Sequence, residues 1–163
     1  MQTFLPFASF IHSAECLDDS RLNKQIVEAY QILTGRLPNA NHPACLMWRG
    51  YEFYLQQYAI VCCTAYKLRR GKNHSLYEKI HDIHPEPCDE LPFRCNELFH
   101  LSNRVNLLRK DAAHYAPLLE WVPTPDLDAY PTGYYWPVEP VGKKAKAGRA
   151  AWLKWGKKNG IEG

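Results

Sequence analysis

The sequence predicts a mainly α, compact single-domain helical bundle, with an extended N-terminus and a long wrapping segment rich in proline and aromatic residues. Three observations predict it. Apolar residues recur at helical spacing through three long stretches. Glycine or proline stands at the ends of those stretches. Residues 116–141 carry too many prolines for a regular helix, yet hold aromatic side chains that would be costly to expose. A chain of 163 residues with 46% hydrophobic content is long enough to bury a real core. Neither an internal repeat nor a clear boundary divides it, so residues 1–163 are expected to form one domain with a basic, tryptophan-bearing tail over 142–163.

Residues 1–12 read as extended, because Phe4, Leu5, Phe7 and Phe10 around Pro6 give no helical pattern. Ser13, Asp18 or Asp19 can cap a first helix that runs to Thr34 and closes at Gly35. Its inner face is Leu22, Ile26, Ala29 and Leu33. After a loop, Pro43 suits the first turn of a second helix, with Asn41 or His42 near its cap. That helix is expected over Ala44–Arg70, ending at Gly71, with Gly50 marking a bend or a close contact. A third is expected over Glu97–Ala113, with Leu98, Leu101, Val105 and Leu108 inward. Arg104, Arg109 and Lys110 are among its polar members.

Charge is spread unevenly. The net charge is +3, but residues 142–163 carry +6 and residues 1–141 carry −3. A mildly acidic body with a basic tail suggests an anionic partner. In the tail, Trp152 and Trp155 interleave with Arg149, Lys154, Lys157 and Lys158. Aromatic planes can stack on bases while cations hold phosphates. The same two tryptophans, three residues apart, can equally dock the tail on the core.

No apolar run approaches a membrane span, and the N-terminus lacks the pattern of a signal peptide. A cytoplasmic protein is expected. The six cysteines form no C-x-x-C pair and read as free, mostly buried thiols. His81, His84, Cys88 and Cys95 are of metal-ligating type, but their spacing fits no standard zinc finger, and loop residues are the better reading.

The most informative stretch is Ser20–Gln31. Wound as a helix, it sets Arg21, Lys24 and Glu28 on one stripe, flanked by Gln25 and Gln31. A charged helical face is most often a solvated one. A guanidinium, an amine and a carboxylate together are also the parts an enzyme needs to grip a phosphate backbone and open a glycosidic bond.

These residues resemble a known family. Met1-Gln2-Thr3-Phe4-Leu5-Pro6, Ser13-Ala14, Leu17-Asp18, Arg21-Leu22, Lys24-Gln25, Glu28, Gln31-Ile32-Leu33, Asn41-His42-Pro43, Met47-Trp48, Gly50-Tyr51-Glu52 and Asn106-Leu107-Leu108-Arg109-Lys110-Asp111 resemble the bacterial and phage branch of the pyrimidine-dimer DNA glycosylases, the endonuclease V-like family. Likeness to the endonuclease V type itself rests on Arg21 with Glu28, on His42 through Gly71, and on Trp152-Leu153-Lys154-Trp155-Gly156.

The resemblance implies a DNA N-glycosylase, with AP-lyase chemistry, that flips a nucleotide out of damaged or modified duplex DNA. An amine attacks the sugar C1′ to form an imine, and no metal or organic cofactor is needed. It implies Glu28 as the catalytic carboxylate and Arg21 as a phosphate or sugar contact. Gln25, Asn41 and His42 become neighbours of the site. Arg104, Arg109, Lys110, Trp152, Lys154 and Trp155 become DNA contacts. In the endonuclease V type the nucleophile is the α-amine of a threonine exposed by removal of the initiator methionine. Here Gln2 follows Met1 and Thr3 stands one place further on. Two amines therefore stay open, the α-amine of Met1 and the ε-amine of Lys24. The alternatives are an N-glycosidase or modifying enzyme acting on free nucleosides or nucleotides, and a non-catalytic DNA-binding protein. A monomer in the cytoplasm is expected, the host's if the protein is phage-encoded.

Overall fold

The computed structural model describes residues 3–37 and 39–163. Among them every regular element is helical, which is the mainly α class the sequence predicts. The chain forms two compact units. One takes in the residues up to Phe4 together with Ser9–Leu91, and the other takes in Leu5–Ala8 with Pro92–Gly163.

The first unit holds α1 (Phe10–Cys16), α2 (Asp19–Leu33), α3 (Pro43–Leu46), α4 (Glu52–Arg70) and α5 (Tyr77–His81). Asp18, one of the cap candidates read from the sequence, caps α2, its carboxylate accepting from the Arg21 amide at 2.9 Å. Ser9 caps α1 in the same way, and helix begins inside the stretch that reads as extended. Leu22, Ile26 and Ala29 of α2 are buried, as are Leu55, Ala59 and Cys62 of α4, and the two helices pack together. Each such leucine or isoleucine stabilises the unit by about 1.5–3 kcal/mol.

The second predicted helix is two. It breaks over 47–51, where Gly50 takes φ +83°, a left-handed conformation that side chains disfavour. Helix α4 then runs to Arg70 and closes at Gly71, as predicted. Arg69 reaches back to accept nothing and donate widely, to the carbonyls of Ala14, Glu15 and Leu17 at 3.2, 2.7 and 2.6 Å. It thereby satisfies the open C-terminal carbonyls of α1.

The second unit holds α6 (Glu97–Lys110) and α7 (Lys143–Asn159), with short 3₁₀ turns at Ala116–Trp121 and Leu127–Ala129. Helix α6 stops three residues before the predicted end, where Asp111 leaves helical dihedrals. The basic tail is a helix, α7, packed on α6. Gly156 is required there: a β-carbon would lie 2.6 Å from the Ile161 carbonyl oxygen and 3.1 Å from a Leu98 methyl.

The proline-rich segment wraps as expected. Lacking a helix or sheet ladder of its own, it offers carbonyls that need donors. Side chains of α6 and α7 supply them. Asn106 donates to Gly133 at 2.7 Å, Trp152 to Gly133 at 3.1 Å, and Arg149 to Trp136 at 3.0 Å.

The cysteines are free thiols. Cys45, Cys62 and Cys63 are buried, Cys16 and Cys88 half-buried, and Cys95 exposed. Burial pushes the thiols of Cys16 and Cys63 up to about 12. No helix among the described residues is long and apolar enough to cross a membrane.

Candidate active site

Helix α2 places Arg21, Lys24, Gln25 and Glu28 on successive turns of the first unit. Their environments differ sharply. Glu28 is only 8% exposed, far from the solvated carboxylate that a surface stripe would carry. The Cys45 thiol is raised by burial first and by the Glu28 charge as well, and the Tyr58 phenol is raised chiefly by burial with a smaller contribution from Glu28.

Arg21 is half-buried and oriented by its own cap residue. Asp18 accepts from the Arg21 amide through one oxygen and pairs with its guanidinium at 2.5 Å through the other. Lys24 is exposed and takes part in no ion pair among the described residues. Gln25 is 1% exposed. Its Oε1 accepts from the Phe4 amide at 2.7 Å, so its polar end is committed to the main chain near the N-terminus.

Asn41 is exposed, and His42 is the N-cap of α3. The His42 Nδ1 accepts from the Ala44 amide at 3.1 Å, which puts the proton of the neutral ring on Nε2. Burial lowers its pKa and favours that neutral form. The ring thus offers an Nε2–H donor.

The remaining predicted contacts lie in the second unit, and most have structural work there. Arg104 is buried, donates to the Pro6 carbonyl at 2.7 Å and pairs with Glu97. Arg109 donates to the carbonyls of Leu127, Tyr130 and Pro131 at 2.5, 3.0 and 2.9 Å. Trp152 is wholly buried. Trp155 is half-buried, with its ring on Tyr130 at 5.0 Å and its N–H donating to the Ala129 carbonyl. The Trp152 ring, enclosed by its own unit, has no open face for a base, so its packing supports the docking role, while the Trp155 ring stays partly exposed. Lys110 and Lys154 are exposed, as are Lys143, Lys144, Lys146, Lys157 and Lys158.

Sequence reasoning singled out the α2 stripe but gave no site role to Thr3, Trp48, Tyr58 or Cys45, which lie in the same unit. Trp48 N–H donates to the Thr3 hydroxyl at 3.0 Å, and Tyr58 O–H donates to the Phe4 carbonyl at 2.7 Å. The available signal was a tyrosine on the apolar stripe of α4, since a buried phenol needs a partner. Met1 lies outside the described residues. No group of three or more His, Cys, Asp or Glu side chains among the described residues is arranged to hold a metal ion.

A buried carboxylate on a helix whose outer turn presents an oriented arginine agrees with what the first 79 residues match. Residues 1–79 match the pyrimidine dimer DNA glycosylase family. The match takes in α1 to α4, and with them Arg21, Lys24, Gln25, Glu28, Asn41 and His42. It agrees, over those residues, with the family resemblance drawn from the sequence. Neither a comparison with curated proteins nor one with solved structures finds a match. The match ends inside α5, so α6 and α7 lie beyond it.

Proposed function

We propose that the protein is a DNA N-glycosylase that removes a pyrimidine from a dimer or a similarly modified base, with an associated AP-lyase step. The observation that carries this reading is the buried Glu28 carboxylate, one helical turn from the residue that ties down the N-terminal segment, inside the stretch that matches the family.

A neutral amine attacks the sugar C1′. The bond from C1′ to the pyrimidine nitrogen breaks, its electron pair leaves with the base, and the base takes up a proton. The C1′–O4′ bond then opens to give a protonated imine. Loss of a C2′ proton allows β-elimination, in which the C3′–O bond breaks and its electrons leave with the phosphate. Water returns the sugar as an aldehyde and frees the amine. Glu28 balances the positive charge on the sugar and the imine, and accepts a proton during elimination.

The α-amine at the N-terminus is the better nucleophile of the two candidates. An α-amine ordinarily loses its proton more than two pH units below a lysine ε-amine, which makes the neutral form roughly a hundredfold more abundant near pH 7. Thr3 and Phe4 are held beside α2, and two further residues reach about 7 Å. Arg21 holds a phosphate next to the extruded nucleotide, and His42 donates from Nε2. The exposed lysines of α7 add a phosphate contact of the second unit.

The test is Glu28→Gln on ultraviolet-irradiated duplex. The variant is expected to keep binding while base release falls by about 10²–10⁴-fold. A parent protein that releases no base from irradiated, deaminated or hydroxymethylated duplexes overturns the reading.

A further inference from the structure

We propose that Gln25, Tyr58 and Trp48 form a positioning clamp that grips the main chain and side chain of residues 3 and 4 and so delivers the N-terminal α-amine to Glu28. The inference rests on the glycosylase reading above and deepens it.

The grip is specific. Phe4 has one amide and one carbonyl, and both are taken by side chains rather than by another stretch of backbone. Its N–H donates to Gln25 Oε1 at 2.7 Å, and its carbonyl accepts from the Tyr58 hydroxyl at 2.7 Å. Those two side chains also meet, the Tyr58 oxygen lying 3.3 Å from Gln25 Oε1. One residue further toward the N-terminus, Trp48 N–H donates to the Thr3 hydroxyl at 3.0 Å. Trp48 and Tyr58 stack nearly parallel, 13° apart with centroids at 6.3 Å, so the two halves of the clamp brace each other.

Every member is buried: Trp48 and Tyr58 are 0% exposed, Gln25 1%, Thr3 0% and Phe4 5%. An amide, a phenol and an indole N–H inside a core are costly unless satisfied. An apolar core could close over residues 3 and 4 with fewer risks. The polar set gives direction instead: it fixes the rotation of the chain as well as its depth. Gln25 and Glu28 are three residues apart on one face of α2, a rise of about 4.5 Å. A chain gripped at Gln25 is therefore held on the face of α2 that also carries Glu28. Fixing a reacting group in this way removes orientational freedom that would otherwise be lost in the transition state.

The test uses the full chain, with intact mass establishing the first residue, and borohydride trapping on abasic-site duplex at saturating DNA. Tyr58→Phe and Gln25→Met are expected to lower the trapping rate tenfold or more while changing duplex affinity less than about threefold. Gln25→Glu, which keeps an acceptor for the Phe4 amide, is expected to recover part of the rate. One alanine added ahead of the first residue leaves the clamp intact but displaces the amine, and is expected to cost tenfold as well. The trapped peptide is expected to be the N-terminal one. Folded clamp variants that trap at the parental rate, or that lose affinity as much as rate, overturn the clamp. An adduct mapping to Lys24, or base release without any adduct, overturns the clamp and leaves the glycosylase reading standing. No base release from any duplex overturns both.

Discussion

The arginines of α2 and α6 look alike in the sequence and live differently in the fold. Arg21, in the first unit, is half-buried and leans on a single carboxylate from its own helix cap. Arg109, in the second, spends its guanidinium on three backbone carbonyls of the wrapping segment, and Arg104 is buried against Pro6 and Glu97. The difference lies in what surrounds each helix. The first unit is built mostly from helices that satisfy their own backbone, with Arg69 closing the open carbonyls at the end of α1. The second contains a proline-rich stretch that does not, and planar, multidentate side chains on α6 and α7 are drawn in to finish its hydrogen bonding. A basic or aromatic residue beside such a stretch is therefore more readily a staple than a ligand contact.

The largest test of this contrast is Trp152→Ala. Removing a fully buried indole that also holds the Gly133 carbonyl is expected to cost about 3–5 kcal/mol, read by denaturant unfolding. If the tryptophan served mainly to stack on DNA, stability would barely move and affinity would fall instead. Arg109→Ala comes next, at about 2–3 kcal/mol for a charged donor lost from several carbonyls. Arg21→Ala is its counterpart in the first unit and should cost less than about 1 kcal/mol, since its pair is partly solvated. Equal losses for the two arginines would erase the distinction.

A smaller effect separates the units by pH. Burial lowers the pKa of His42 and of His74, and each accepts a backbone N–H through Nδ1 in its neutral form. The native state then binds fewer protons than the unfolded chain. Their contribution is present above about 6.5 and lost as pH falls through the lower native values. Melts at descending pH should show the loss, and His74→Asn should flatten it. The smallest effect on stability is expected from Lys154→Ala, within about 0.5 kcal/mol, while the salt dependence of duplex binding should ease by about one unit of slope.

The sequence made the helical class, the α2 stripe and the wrapping segment legible, because each rests on local periodicity or on proline chemistry. Helix ends were legible where a cap was unambiguous, as at Gly71, left open between candidates at Asp18 and Gly50, and misread at α1, which begins inside the stretch that reads as extended. Glu28 could be placed on a charged stripe, but its burial depends on α3 and α4 arriving from elsewhere in the chain. Gln25 was expected beside DNA and turned out to hold Phe4, a partner 21 residues away that no helical spacing can reveal. Tyr58 escaped notice for the same reason, and Trp48 was read only as part of the family pattern.

The graded thiols also turn the protein into its own reporter. Thiolates, not thiols, react with alkylating reagents, and a sealed sulfur reacts only when its surroundings open. Cys95, exposed in the second unit, should be tagged at once. Cys62 and Cys63, enclosed in the first, should wait for rare openings of the α2–α4 core. Counting tags by mass against time would then clock how often the packing between α2 and α4 opens, with no residue changed.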